Sequence, residues 1–202
     1  MCKRKGFIVL WGFVIAALIQ ENRAFARGYS SILIGPTFSQ HSIENSSISG
    51  PSSAGVGVSF GSFYGVEFSE RFGFELGVFF VKRTTAFENH IRYSITTVSI
   101  PLLVTYAPLV HMPHLKLELG PYFGLMPWGS YTQNGNTLGS NAGIDQIDIG
   151  AVGGVTYLIP VSYQSDLRMS TLYSFGFTDM RSGPSVIQSR GLDVLIGFSF
   201  YI

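Results

Sequence analysis

Charged side chains are scarce in this sequence, yet several recur at positions that an extended chain would place on one face. Lys116 and Glu118 are two residues apart, and Arg168 alternates with larger apolar residues in its own segment. Because residues two apart on a strand point to the same side, such side chains from different strands could meet in one enclosed space. The candidates for this polar network are Glu67, Glu75, Lys116, Glu118, Arg168, Asp148 and Asp193.

The residue types that catalysis or metal binding requires occur in patterns that predict no such site. His111 and His114 flank a Met-Pro pair, and the proline prevents the regular helix that would align two imidazoles as metal ligands. Serines are abundant between Ser42 and Ser53, but this composition is typical of a surface connection, and a nucleophile needs a base within reach. We therefore predict no catalytic residue, no cofactor and no metal site.

The elements that must position these side chains are β-strands. From Tyr29 onward the dominant period of apolar residues is two, and clusters of Gly, Asn, Ser and Pro interrupt it. The connections alternate between long and short along the chain, which is the pattern of outer-membrane barrels. The eight strand segments predicted are 29–39, 54–67, 72–82, 92–106, 115–126, 147–159, 167–178 and 191–201.

Composition indicates that these strands cross a membrane. The chain is 46% hydrophobic and 12% charged, about half the ~25% charged residues of a soluble domain. After the first twenty residues no apolar run approaches the roughly 20 residues of a spanning helix. A closed barrel is the other structure that satisfies every backbone hydrogen bond in lipid. The sequence therefore predicts an all-β, eight-stranded antiparallel transmembrane β-barrel with both termini in the periplasm.

The two faces of the strands differ in chemistry. In the last segment Val194, Ile196 and Phe198 share one face, and Asp193 and Ser199 lie on the other. A water-facing exterior would need many charged residues, whereas the less apolar face here is mainly Gly, Ser and Thr, which suits a narrow interior. We therefore expect the apolar face to contact lipid.

The charged candidates then point into the lumen. Two of them, Asp148 and Asp193, are expected near its outer mouth, and the other five towards its periplasmic half. They could form a path for protons or a solute, or they could form ion pairs that fill the barrel. We favour the packed network because eight strands enclose little more than side chains. In it we expect Arg168 to contact Glu75 or Glu118.

Three prolines fall inside predicted strands. Pro36, Pro101 and Pro121 each lack the N–H that a strand ladder uses, and a closed barrel has no free edge to accommodate them. We expect local bulges at these positions.

The N-terminus resembles a cleavable signal peptide. Lys3, Arg4 and Lys5 precede an apolar stretch from Gly6 to Ile19, and Ala24-Phe25-Ala26 has the small residues of a cleavage site. We predict cleavage after Ala26, which makes 1–26 the signal peptide and 27–202 the barrel domain; an uncleaved anchor helix is the alternative.

Removal of 1–26 takes away the sole cysteine, four basic residues and one acidic residue, which leaves 9 basic and 11 acidic residues and a net charge of −2. We expect a barrel without disulfides and without a basic surface for nucleic acid.

Four motifs of the chain resemble those of the outer membrane protein β-barrel domain family, the group of small barrels that includes PorT-like proteins. They occur in the family's order, and the likeness extends over the mature chain. The resemblance implies the fold and the location, whereas a role in protein secretion belongs to particular members only. The motifs are Ile100-Pro101-Leu102-Leu103 with Tyr106, Gly120-Pro121-Tyr122-Phe123-Gly124, Asp148–Gly154 and Leu167–Gly176.

The function predicted from the sequence is that of a small integral outer-membrane barrel with a structural or interaction role. We expect a closed lumen and a monomer whose outer connections, especially 127–146, contact partners. The expected partners are outer-membrane lipid, the barrel-insertion machinery during assembly, and other envelope proteins. An envelope enzyme acting at the rim, a narrow solute channel and a component of a secretion assembly remain as alternatives.

Overall fold

The computed structural model describes residues 27–44, 55–87, 91–109, 111–133, 136–140, 147–178, 180–182 and 185–202. The predicted signal peptide, with Ala24 and Ala26, lies outside these ranges. No helix within them is long and apolar enough to cross a membrane. The strands are β1 (Arg27–Glu44), β2 (Gly55–Glu67), β3 (Phe72–Phe87), β4 (Ile91–Tyr106), β5 (Leu115–Gln133), β6 (Asn136–Ser140), β7 (Ile147–Ser162), β8 (Ser165–Gly176), β9 (Met180–Ser182) and β10 (Ser185–Tyr201).

Eight of these strands form a closed antiparallel barrel, which confirms the predicted fold. The order around the barrel is β1-β2-β3-β4-β5-β7-β8-β10, and β10 pairs back with β1. The short strands β6 and β9 pair only with β5 and β10, respectively, within the described ranges. Closure matters because it leaves no barrel strand with a free row of N–H and C=O groups.

The strands are strongly tilted, as the pairing registers show. We can start at Tyr29 on β1 and step from each residue to its partner on the next strand, through β2 and on to β10. This path reaches β10 at Gly191, whereas the direct partner of Tyr29 on β10 is Tyr201. The offset is therefore ten residues over eight strands. With a rise of about 3.3 Å per residue and a strand spacing of about 4.8 Å, it corresponds to a tilt of roughly 40°.

The outward face is apolar and the inward face combines large side chains with glycine. Ile196 on β10 is 48% exposed and its neighbour Leu195 is 2% exposed. Inside, aromatic rings lie across glycines of the adjacent strand: a Cβ at Gly77 would lie 2.6 Å from the Phe63 ring. Small residues are therefore required where large ones cross a narrow lumen. The predicted assignment of the two faces agrees with this exposure pattern.

The two ends of the barrel differ in their connections. One end, here called the turn end, has the connecting residues 68–71, 107–109, 111–114 and 163–164 together with residues 27 and 202. The opposite end, here called the loop end, has β6, β9, the last residues of β1 and β3 and the first residues of β2 and β4.

The predicted strands were too short at the loop end. Residues 40–44, 83–87, 127–133 and 185–190 were assigned to long connections, but they continue β1, β3, β5 and β10, and 136–140 forms β6. Outside the apolar belt neither face must be hydrophobic, so the period of two weakens although the hydrogen-bonded ladder continues.

The expected bulges at the prolines were wrong. The registers run through Pro36, Pro101 and Pro121 without a shift, and the irregularities of the barrel lie between Thr96 and Val98 and between Pro160 and Ser162. Each proline retains its place in the ladder because a missing N–H removes one hydrogen bond without changing the spacing along the strand.

Candidate functional site

Arg168 lies at the centre of a charged cluster in the half of the lumen nearer the turn end. It is 1% exposed. Its Nη1 and Nη2 donate to Glu75 Oε1 and Oε2 at 2.9 and 2.8 Å, and Nη2 also donates to Glu118 Oε1 at 2.7 Å. The remaining donors reach Ser31 Oγ at 3.3 Å and Ser170 Oγ at 3.1 Å. The five N–H groups of the guanidinium thus have five acceptors.

The arrangement of strands explains why these side chains meet. Arg168 extends from β8 across the lumen to Glu75 on β3 and Glu118 on β5. The bond to Glu75 uses both carboxylate oxygens, the geometry in which arginine binds a carboxylate most strongly. The guanidinium carbon also lies 4.7 Å from the centre of the Phe63 ring. The cluster therefore connects three strands that are not neighbours in the sheet.

A second pair continues the cluster towards the turn end. Lys116 Nζ donates to Glu67 Oε1. The same ammonium lies 5.0 Å from the centre of the Tyr29 ring, and Tyr29 Oη donates to Glu75. Five of the seven predicted residues are therefore brought together in one region: Glu67, Glu75, Lys116, Glu118 and Arg168.

An apolar layer separates this cluster from the loop end. Nine buried side chains, contributed by all eight barrel strands, meet across the lumen. Apolar packing of this kind leaves little room for water in the middle of the barrel. They are Leu33, Phe63, Phe79, Val81, Leu103, Tyr122, Val152, Leu172 and Leu195.

Asp148 and Asp193 lie on the other side of the apolar layer, apart from the Arg168 cluster. Asp148 accepts hydrogen bonds from Tyr122 Oη at 2.7 Å and from Thr178 Oγ1 at 2.9 Å. Asp193 Oδ2 is 3.9 Å from Arg83 Nη2, which donates to Ser174 Oγ at 3.2 Å. The lumen therefore has two separate charged regions with apolar packing between them.

A small cavity of about 30 Å³ lies beside this second region. Arg83, Asp148 and Asp193 line it, and Pro101 and Leu172 are among its apolar walls. Its volume suits about two water molecules. It is far smaller than the several hundred cubic ångströms of a pocket for a drug-sized ligand.

Sequence reasoning missed Arg83, because 83–91 was assigned to a connection. The alternation that places Phe79 and Val81 in the lumen places Arg83 there as well, so one more step of the period would have found it. Gly191 makes room for this side chain: a Cβ there would lie 2.5 Å from Arg83 Nη2. Tyr29 was also missed as a partner of the charges, since a tyrosine in a strand is ordinarily a β-forming residue.

The two histidines weighed as metal ligands lie together in one turn. His111 is exposed, and His114 lies in the same turn, where its carbonyl accepts a hydrogen bond from Leu158 N at 2.9 Å. In the ranges that the structure describes, no three His, Cys, Asp or Glu residues are grouped as a metal site would need. The serines between 42 and 53 lie almost entirely outside those ranges.

Comparisons with known proteins agree with the fold. The crystal structure of Neisserial surface protein A (NspA) is 14% identical, with a TM-score of 0.53, and the match covers 86% of this chain and 96% of that chain. A major outer membrane protein from Thermus thermophilus is also 14% identical, with a TM-score of 0.54 and coverage of 87% and 99%. At this identity the likeness shows the fold alone. The search of curated protein sequences gave no match.

The family comparison extends over most of the sequence. The model of the outer membrane protein beta-barrel domain matches residues 20–182. This range includes β1 to β9 and all four motifs on which the resemblance was based. The chain therefore belongs to the outer membrane protein beta-barrel domain family and is a small outer-membrane β-barrel.

Proposed function

We propose that this protein is a closed, non-enzymatic barrel that acts through its surface, with the connections of the loop end as the contact region. The observation that carries the proposal is the filled lumen. Between the two ends lie the Arg168 cluster, the apolar layer and the region of Arg83, Asp148 and Asp193. A barrel filled in this way offers little space for a solute, so its interactions take place at the exterior.

The ends of the barrel indicate which part of the exterior is involved. At the turn end, backbone hydrogen bonds connect neighbouring turns: Ala107 N donates to Arg71 O at 2.8 Å and Tyr201 N to Gln164 O at 3.0 Å. At the loop end, β5 and β6 extend the sheet beyond the barrel wall. We therefore place the loop end outside the cell and the turn end in the periplasm, as in other outer-membrane barrels.

Single cysteines test both the orientation and the contact region. Cys2 is the one cysteine of the sequence and belongs to the predicted signal peptide, so an introduced cysteine would be unique in the mature chain. We expect a membrane-impermeant maleimide to label Thr137→Cys at the loop end in intact cells. Glu70→Cys at the turn end should be labelled only after the outer membrane is opened.

The same two variants then test the role. A thiol-directed photocrosslinker at Thr137→Cys should join the protein to a defined envelope protein or surface ligand in living cells, and the matched crosslinker at Glu70→Cys should not capture it. Labelling of Glu70→Cys alone in intact cells would contradict the orientation. Equal capture from both ends would contradict the proposed contact region.

A further inference from the structure

The outward face of the barrel has an uneven distribution of charge. Among the outward-facing positions of the eight barrel strands whose side chains the structure describes, Lys82 and Arg190 are the charged ones. Both are basic and exposed, and both lie near the loop end, on β3 and β10. At the turn end, by comparison, exposed charges of both signs occur together: Glu70 and Arg71 are neighbours in one turn. The loop end of the outward face is therefore purely cationic where it is described.

The tilt of the strands brings these two cations to the same height. Lys82 pairs with Val58, and Val58 pairs with Pro36, whose register partner on β10 is Val194. Arg190 is four residues nearer the loop end than Val194. Because the offset is ten residues over eight strands, each step from β3 through β2 and β1 to β10 lowers the paired position towards the turn end. The three steps together lower it by nearly four residues, which matches the four residues between Val194 and Arg190. Lys82 and Arg190 thus lie in one plane parallel to the membrane.

Each cation adjoins exposed apolar side chains on the side of the turn end. Beside Lys82 are Phe80, which is 50% exposed, and Val58, which is 48% exposed. Arg190 lies 5.1 Å from the centre of the Phe175 ring, with Leu192 next on the same outward face. A cation above an apolar surface matches a lipid whose anionic head group lies above its acyl chains.

We propose that Lys82 and Arg190 bind the phosphate groups of anionic lipid in the outer leaflet. Facing lipid, a basic side chain avoids the hydrocarbon by extending to the interface, where a phosphate provides a charged hydrogen-bond acceptor. Two cations at one height would hold such head groups at two positions around the barrel and fix its depth. The assignment to the outer leaflet rests on the orientation proposed above.

Lipid titration of the full-length mature barrel tests the phosphate contact. Folded protein in detergent is titrated with diphosphorylated lipid A and with its dephosphorylated form, and bound lipid is counted by native mass spectrometry. We expect the phosphorylated lipid to bind more tightly to the wild type. Lys82→Gln and Arg190→Gln should each weaken it roughly fivefold, and the double variant roughly 25-fold, from the usual effect of one basic residue at an anionic surface.

The matched control removes two cations from the opposite end. Arg27→Gln/Arg71→Gln has the same change of net charge and should bind the phosphorylated lipid as the wild type does. Unchanged binding by Lys82→Gln/Arg190→Gln, or an equal loss in the control, would overturn the proposal. The titration in detergent does not depend on the orientation of the barrel in the membrane. If the phosphorylated lipid binds as expected but Glu70→Cys, and not Thr137→Cys, is labelled in intact cells, only the assignment to the outer leaflet is overturned.

Discussion

Replacement of Arg168 by methionine should lower the free energy of unfolding by about 3–5 kcal/mol, the usual cost of leaving buried charges without their partner. Glu75 and Glu118 are 1% and 2% exposed, and both depend on the same guanidinium. Methionine keeps a similar length and flexibility but donates no hydrogen bond. The change can be measured by urea unfolding of the barrel in lipid vesicles.

A combined variant separates the loss of pairing from the loss of packing. Arg168→Met/Glu75→Leu/Glu118→Leu removes the whole triad, and replacement of a buried ion cluster by apolar residues is often neutral or stabilising. We expect it to be more stable than Arg168→Met alone. If Arg168→Met is as stable as the wild type, the carboxylates are not held by this arginine and the described network is wrong.

Substitution of arginine for Ile196 should destabilise the barrel by about 2–4 kcal/mol, as charges do near the midplane of outer-membrane barrels. Ile196 faces outward on β10 and pairs with Ile34 and Met169, which are also about half exposed and apolar. No partner for a charge lies beside it among these residues. Urea unfolding in vesicles again provides the measurement.

The matched control is the same substitution near the turn end. Ile159 also faces outward, but it is three residues from the end of β7, where arginine can reach the interface; we expect Ile159→Arg to cost about 0–1 kcal/mol. Gly197 would be an unsuitable control, because a Cβ there would lie 1.8 Å from Ile32 O. Equal costs for the two isoleucines would show that Ile196 does not lie at the midplane.

The barrel strands could be recognised from sequence because membrane crossing imposes a period of two. Successive residues of β10, such as Leu195 and Ile196, face the lumen and the lipid in turn, and each must suit one of two very different environments. Beyond the belt this constraint ends, and the extensions of β3 and β5 were therefore missed. The bulges expected at the prolines were wrong for another reason. The sequence indicates that the N–H is missing, but it does not indicate whether the neighbouring strand keeps its register.

The charged candidates show a similar division. Their inward direction follows from alternation, and the contact of Arg168 with Glu75 and Glu118 follows from the need to pair buried charges. The separation of Asp148 from this cluster also follows from the sequence, because Asp148 lies at the outer end of its predicted strand. The contacts between individual side chains depend on the tilt, which results from registers around the whole barrel, and no single segment reveals these registers.

Planar-bilayer recording of the purified wild-type barrel tests most directly whether the lumen is closed. An open porin reconstituted at the same protein-to-lipid ratio provides the positive control, and folding is verified beforehand. Because the Arg168 cluster and the apolar layer fill the described lumen, we predict no steady conductance above the bilayer baseline. Steady, porin-like steps from the wild type would contradict the closed barrel and, with it, a role confined to the exterior surface.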